Sequence, residues 1–275
     1  MKKFFLLLLF LMLAVQLPSA ATVAVQEPVA SKLSEGGMVD LGTVGPGQKI
    51  EVQISRRTGE SDYRGSEYLW DRLYVEDKSL PGDWTSVDSL YYETLMKAFV
   101  IVPKDAPDGD YVFSLRTERD YAGVETTRFK AKVHVSKDVL VFTITNPAAE
   151  SGVGQPAVYL VGIKNTGNAN DAFEVGVTDG LPRQWTYTKS VFVPRNSEKI
   201  VPYEVVATSH GQFPIKLKAT SLSSGLIEST ASAVLVSRSS LLEEAKAASR
   251  GVILFPAAEQ VIYNLVGFVA ANFFK

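Results

Sequence analysis

Few side chains in this chain stand where they could share chemistry. The two histidines, His134 and His210, lie in corresponding late strand and turn regions of separate modules, so a site using both would need the two modules to fold together. A general base must come within hydrogen-bond reach of the proton it takes, and a lone histidine on a strand is ordinarily a surface residue. The chain has no cysteine, so thiol nucleophiles, thiolate metal sites and disulfides are excluded. There is no nucleophile elbow, phosphate-cradling glycine loop or zinc-ligand spacing. Asp105, Asp108 and Asp110 in DAPDGD could offer oxygens to Ca²⁺, but Pro107 and Gly109 mark a hairpin turn short of the six to eight ligands calcium wants. No catalysis, metal or cofactor is expected.

Recognition has better material. The stretch YRGSEYLWDRLYVEDKSLPGDW begins at Tyr63 and ends at Trp84. Strand alternation that sends Leu69, Leu73 and Val75 inward turns Tyr68, Trp70, Arg72 and Tyr74 outward. With Tyr63 and Arg64 from the preceding loop, these six residues form a candidate binding face. Rigid amphipathic rings and guanidinium groups suit protein or glycan partners. The alternative is that the row is packed under its own loop or a neighbouring domain. With 28 basic against 30 acidic residues and no basic block, nucleic acid is not an expected partner.

The elements that must hold this face read as strands. Runs such as GDYVFSLRT and FPIKLKA alternate apolar and polar residues, the period of a half-buried strand, and turns such as NTGNAND separate them. About seven strands fall between residues 139 and 236, which is what an immunoglobulin-like sandwich needs. The preceding stretch follows the same order. Leu80, Pro81, Trp84 and Thr85 of LPGDWT recur 101 residues later as Leu181, Pro182, Trp185 and Thr186 of LPRQWT, with flanking strands that also correspond. Trp84 and Trp185 are therefore expected to pack as equivalent structural residues. The expected fold is all-β: two tandem sandwiches over residues 24–136 and 138–237, followed by a helical, hydrophobic tail.

One resemblance follows from these residues. Asn165, Gly167, Asn168, Asp171, Phe173, Gly180 and Trp185, in IKNTGNANDAFEV and GLPRQWTY, resemble the extracellular immunoglobulin-like modules found beside galactosidases and carbohydrate-binding modules in bacteria and archaea. It covers most of 139–236 and more loosely 38–136, where the N-x-G-N turn is missing. It implies architecture: Asn165, Gly167, Asp171 and Phe173 as structural positions of a non-catalytic spacer.

The two ends set the expected location. Lys2 and Lys3, an apolar run over residues 4–15 and the small residues of LPSAA read as a cleaved export signal over residues 1–21. Residues 239–250 carry a capping box, Ser240 with Glu243, and read as an amphipathic helix. In residues 251–275, a helix begun at Pro256 reaches about 28 Å, close to the hydrocarbon core of a bilayer. Its arc of Val261, Leu265, Phe268 and Phe273 fits a transmembrane anchor, a helix lying on the membrane, or one docked on the protein's own domains. Length favours the anchor. The expectation is an exported, membrane-tethered surface scaffold meeting a protein or glycan, with a carbohydrate-binding accessory module as the alternative.

Overall fold

The computed structural model describes residues 21–120, 125–181 and 187–239. The expected signal, amphipathic helix and membrane segment, with Pro256, Val261, Leu265, Phe268 and Phe273, lie outside the described residues, as does Trp185. Among the described residues the secondary structure is all strand apart from one 3₁₀ turn at Asp77–Ser79, and no helix is long and apolar enough to cross a membrane.

Two compact units form, and they do not meet at a single cut in the sequence. The first holds the chain through Gly42 together with Glu51–Ile101 and Tyr111–Val133. The second holds Thr43–Ile50, Val102–Asp110 and the chain from His134 onward.

Eleven strands begin or end in the first unit: β1 Val23–Glu27, β2 Ser31–Leu33, β3 Met38–Val44, β4 Lys49–Ser55, β5 Arg57–Ser61, β6 Glu67–Leu69, β7 Arg72–Val75, β8 Thr85–Val87, β9 Leu95–Ile101, β10 Gly109–Arg119 and β11 Glu125–Val135. They build a five-stranded sheet, β2-β1-β4-β9-β8, a four-stranded sheet, β3-β11-β10-β7, and the small hairpin β5-β6. The second unit contains β12 Leu140–Ile144, β13 Ala148–Gly152, β14 Pro156–Asn165, β15 Asp171–Asp179, β16 Lys189–Val193, β17 Ser197–Val206, β18 Gly211–Ser221 and β19 Glu228–Arg238. Its sheets run β12-β14-β17 and β13-β19-β18-β15-β16.

The strand order is immunoglobulin-like. A first strand pairs on one sheet, the chain crosses, and the next strand joins the last strand of the other sheet. In the second unit that crossing is explicit: β12 pairs antiparallel with β14, and β13 pairs in parallel with β19 from Ala148–Val234 to Gly152–Arg238. Sequence periodicity did not reveal β13, because AAESG has no apolar alternation; its pairing with β19 alone makes it a strand. The expected strand over 184–193 begins only at Lys189, its earlier part falling within residues not described.

Alternation places the core. On β14, Ala157, Tyr159, Val161 and Ile163 are buried, facing Phe173 and Val175 of β15 and Leu217 of β18 in one cluster. Trp84 packs in the first unit's core, its ring 5.1 Å from Tyr111 and 6.3 Å from Phe113.

Candidate binding face

The expected aromatic row requires a correction. Tyr68 ends in the hairpin with β5, and Arg72 and Tyr74 lie half-buried on the outer side of β7, but Trp70 is fully buried and Leu69 is exposed. Strict alternation fails because the chain leaves one pairing and enters another. Leu69 pairs with Arg57 in the hairpin, β7 pairs with β10, and Trp70–Asp71 between them belong to neither ladder. Each ladder sets its own inside and outside, so the phase resets across the break. The Trp70 amide donates to the Arg56 carbonyl at 2.6 Å, its indole N–H donates to the Thr22 carbonyl at 3.2 Å, and Arg56 Nε donates to the Trp70 carbonyl at 2.9 Å. Trp70 is a core residue of the first unit.

On the outer side of β7 and β10, the register sets Tyr74 directly opposite Arg116 and Arg72 directly opposite Glu118. The Arg116 guanidinium lies 4.5 Å over the Tyr74 ring while ion-pairing with Glu118 at 3.2 Å. Arg72 also sits 4.5 Å over Tyr74, on another side of the cluster 4.6 Å over Tyr91, and pairs with Asp88 at 3.4 Å. Stacked, paired guanidinium groups lose side-chain freedom, which stiffens the surface.

Asp88–Tyr92 supply the part that sequence reading missed. β7 is the edge of its sheet, and the loop after β8 closes that edge. Leu73 N–H donates to Ser89 Oγ at 2.9 Å, Val75 N–H to Asp88 Oδ1 at 2.9 Å, and Ser89 N–H to the Leu73 carbonyl at 3.0 Å. A charged or polar side chain that satisfies an edge also blocks strand addition there. The loop then crosses the face, with the Tyr92 amide donating to the Asp71 carbonyl at 2.9 Å. Tyr92 takes a left-handed φ of 61°, a conformation that costs a residue bearing Cβ about 1–3 kcal/mol. Its exposure is 62% and that of Leu90 is 70%, with half-exposed Tyr91 between them. The one signal for this tip in the sequence is a Leu-Tyr-Tyr run where a polar turn is usual.

Electrostatics follow from the contacts. Tyr74 and Tyr91 join their hydroxyls at 2.9 Å. Burial, reinforced by this bond, pushes the Tyr74 phenol up to about 12. The Tyr91 phenol is lowered, first by the bond from Tyr74 and next by Arg72, whose own guanidinium is raised chiefly by its bond to Tyr91. The hydroxyl pair and the Arg72 guanidinium over the ring together hold Tyr91 in place.

Three further expected members stand apart. Tyr68 carries Arg119 4.2 Å over its ring, with Glu60 and Glu125 as the guanidinium's partners. Tyr63 is highly exposed in the β5–β6 turn and is touched by Arg64 at 5.1 Å.

In the second unit, Asn165, Gly167, Asp171 and Phe173, four of the residues that carried the resemblance, are buried. Asn165 donates from Nδ2 to the Ala169 carbonyl at 2.9 Å and accepts from the Gly167 amide at 2.9 Å, closing the N-x-G-N turn. The Asp171 carboxylate accepts from Gln48 Nε2 and Ser221 Oγ, each at 2.7 Å, and from Ser223 Oγ at 2.8 Å. Gly47 sits beside the same cluster at φ 72°, where a Cβ would lie 2.2 Å from the Ser223 carbonyl oxygen. Phe173 lies in the core.

Among the described residues no three His, Cys, Asp or Glu side chains gather to hold a metal. A concavity of about 490 Å³ on the second unit is lined by residues including Asp179, Pro214, Lys216, Ser232 and Val234.

No protein-family model and no curated protein sequence matches the chain. Solved structures similar to it include the adhesin InvE of Yersinia pseudotuberculosis, at 13% identity and TM-score 0.29 over 70% of this chain and 56% of that one. This chain therefore spans about half the length of InvE. A chimeric titin Z1Z2 carrying a KLER peptide from decorin aligns at 12% identity and TM-score 0.33, over 81% of this chain and 100% of that one. The D00-D0 domain of intimin aligns at 15% and 0.25, over 78% and 99%. At such overlap these likenesses add nothing to what the strand order establishes: immunoglobulin-like β-sheets over the described residues.

Proposed function

We propose that the chain is an exported cell-surface protein of tandem immunoglobulin-like modules, tethered to the membrane by residues 251–275, that acts as a non-catalytic interaction scaffold. Export is supported by the basic-then-apolar start and the small residues after it, and tethering by the apolar length from Pro256. One observation carries the interaction role: the exposed Leu90-Tyr91-Tyr92 tip, set on the locked Arg72–Tyr74–Arg116 stack. Exposed aromatic residues held rigid by arginine are what binding hot spots are made of, because little entropy remains to be lost on contact.

The test places a photo-crosslinking residue at position 90 of the full chain in intact cells. Tyr91→Ala combined with Tyr92→Gly removes the rings, and the glycine accepts the left-handed φ. A specific adduct that disappears in this variant supports the reading; an adduct that persists defeats it.

A glycan reading has its own support in the face. Its guanidinium groups already pair with Asp88 and Glu118, so an uncharged hydroxyl-rich ligand can stack and hydrogen-bond without displacing a charge. Retention on immobilised polysaccharide that falls with the same Tyr91 and Tyr92 substitutions favours the accessory-module alternative. The tether is checked separately by fractionation: a chain ending at Arg250 that remains in the membrane pellet rules it out.

A further inference from the structure

Two tyrosines of the first unit meet hydroxyl to hydroxyl. Tyr74 projects from β7 and Tyr91 reaches it from the loop after β8, 17 positions along the chain, with their Oη atoms 2.9 Å apart. Arg72 lies 4.5 Å over one ring and 4.6 Å over the other, so a single guanidinium holds both. The backbone around them is tied as well. Leu73 N–H donates to Ser89 Oγ and Val75 N–H to Asp88 Oδ1, which fastens the start of the loop to the strand on either side of Tyr74.

Phenols held in contact have a chemistry of their own. A tyrosine that gives up one electron and its hydroxyl proton becomes a neutral radical, with unpaired density on the ring carbons ortho to the oxygen. Two such radicals join through those carbons, and each ring regains its hydroxyl when the ortho hydrogen moves to oxygen. The ortho carbons are two bonds from the hydroxyl oxygen, so hydroxyls in contact bring them within reach of a small loop movement.

The two members are unequal in a way that helps. Tyr91 is half-exposed, where an oxidant can touch it, and its phenol is lowered by the bond from Tyr74 and then by Arg72, which favours loss of its proton. Tyr74 is half-buried, and burial pushes its phenol up to about 12. Oxidation therefore begins at Tyr91. The hydroxyl contact lets a hydrogen atom pass from Tyr74 to the Tyr91 radical, which restores Tyr91 for a second oxidation. Other close rings lack this contact between hydroxyls. Tyr187 and Tyr203 have centroids 5.9 Å apart, but Tyr203 is fully buried and donates its hydroxyl to the Tyr187 carbonyl. Tyr91 and Tyr92 stand 5.8 Å apart, with Arg56 over the Tyr92 ring.

We propose that Tyr74 and Tyr91 are an oxidative crosslinking site, joined ortho carbon to ortho carbon as dityrosine by hydrogen peroxide acting through a haem peroxidase. Each ring gives up one electron and one proton, and one peroxide takes both pairs to become two waters. The crosslinked chain is two hydrogen atoms lighter. Closing a loop of 17 residues restricts the unfolded chain as a disulfide does, in a chain that has no cysteine. It also fixes the Leu90–Tyr92 tip to β7 covalently. The coupling needs only the two rings and does not depend on what that tip binds.

The test treats the purified full chain, in mild detergent, with a haem peroxidase and limiting hydrogen peroxide. The expected product is a monomer with dityrosine fluorescence, two hydrogen atoms lighter, whose digest holds a peptide pair joined through residues 74 and 91. Tyr74→Phe and Tyr91→Phe should each remove most of the monomer's signal with circular dichroism unchanged. Tyr187→Phe, at a residue about as exposed in the second unit, should leave the signal in place. Crosslinks found only between chains, or mapping to Tyr91–Tyr92 or Tyr187–Tyr203, overturn the proposal. So does a monomer that gains no signal while free tyrosine in the same tube couples. The crosslinked monomer should also unfold at a higher urea concentration than before treatment, with no such shift in Tyr74→Phe treated alike; equal midpoints refute the staple.

Discussion

Strands β4 and β14 occupy the same place in their units, each between the first strand and the long strand that follows the cross-over, yet they show opposite outer faces. β4 sends Ile50, Val52 and Ile54 inward and Glu51, Gln53 and Ser55 outward, where Glu51 pairs with Lys97 at 2.8 Å and Gln53 donates to Gln26 at 2.9 Å. β14 has an equivalent inner row but turns Val158 and Leu160 to the outside. On the second sheets the contrast inverts. Arg72 and Tyr74 of β7 have Glu174 and Gly176 of β15 as counterparts, neither of them aromatic. The inner row is what the strand order needs; the outer row is free to carry contacts, and the two units have used different sheets for it.

The largest test of that difference is Trp70→Ala, at a position whose counterpart in the second unit is Ala172. Emptying so large a buried site should cost about 3–5 kcal/mol, read as a lower urea midpoint for the first unit. Were Trp70 an exposed ligand-binding ring, the midpoint would not move. Asp171→Ala comes next, since it leaves the Gln48, Ser221 and Ser223 donors without their acceptor; about 2–3 kcal/mol is expected, with Asp171→Asn milder. The counterpart position, Leu69, is exposed, and Leu69→Ala should fall within about 0.5 kcal/mol of wild type.

A third test uses pH. Burial raises the phenols of Tyr159 and Tyr203 in the second unit, and of Tyr74 in the first, to about 12 in each case. An unfolded tyrosine titrates near 10. Above that value the unfolded chain gives up protons that the folded chain keeps, so stability is intact below pH 10 and lost as pH rises toward 12. Tyr159→Phe should flatten this alkaline loss, as followed by circular dichroism at fixed urea. It also removes the bond from the Tyr159 hydroxyl to the Val234 carbonyl, so the comparison is of slopes and not of absolute stability. The smallest effect belongs to the outer rows themselves: Gln53→Leu should change stability by no more than about 0.5 kcal/mol. Leu160→Gln, on the outer row of β14, should do equally little.

Much of the fold was legible because a strand's side chains alternate whatever it later pairs with. The inward rows of β10, β11, β15 and β18 could be read residue by residue for that reason. β13 could not, since AAESG becomes a strand only through the backbone of β19. The candidate face was half legible: Arg72 and Tyr74 stand outward as their spacing implies, while Trp70 does not, because the phase of one ladder does not carry over to the next. The Leu90–Tyr92 tip was missed because a loop's sequence does not say which edge it will lie along.

The sequence by itself determined that the described residues build β-sheets, where most strands lie, and that no cysteine or thiolate chemistry is open to the chain. Those are consequences of composition and of a period of two, both local. Tertiary structure alone decided that Trp70 faces the core, that Asp88 and Ser89 close the edge of β7, that Tyr74 and Tyr91 meet between guanidinium groups, and that β14 presents Leu160 and Val158 outward beside Ile200. Each depends on which distant backbone satisfies a given N–H or C=O. That competition is settled only when the whole sandwich is assembled.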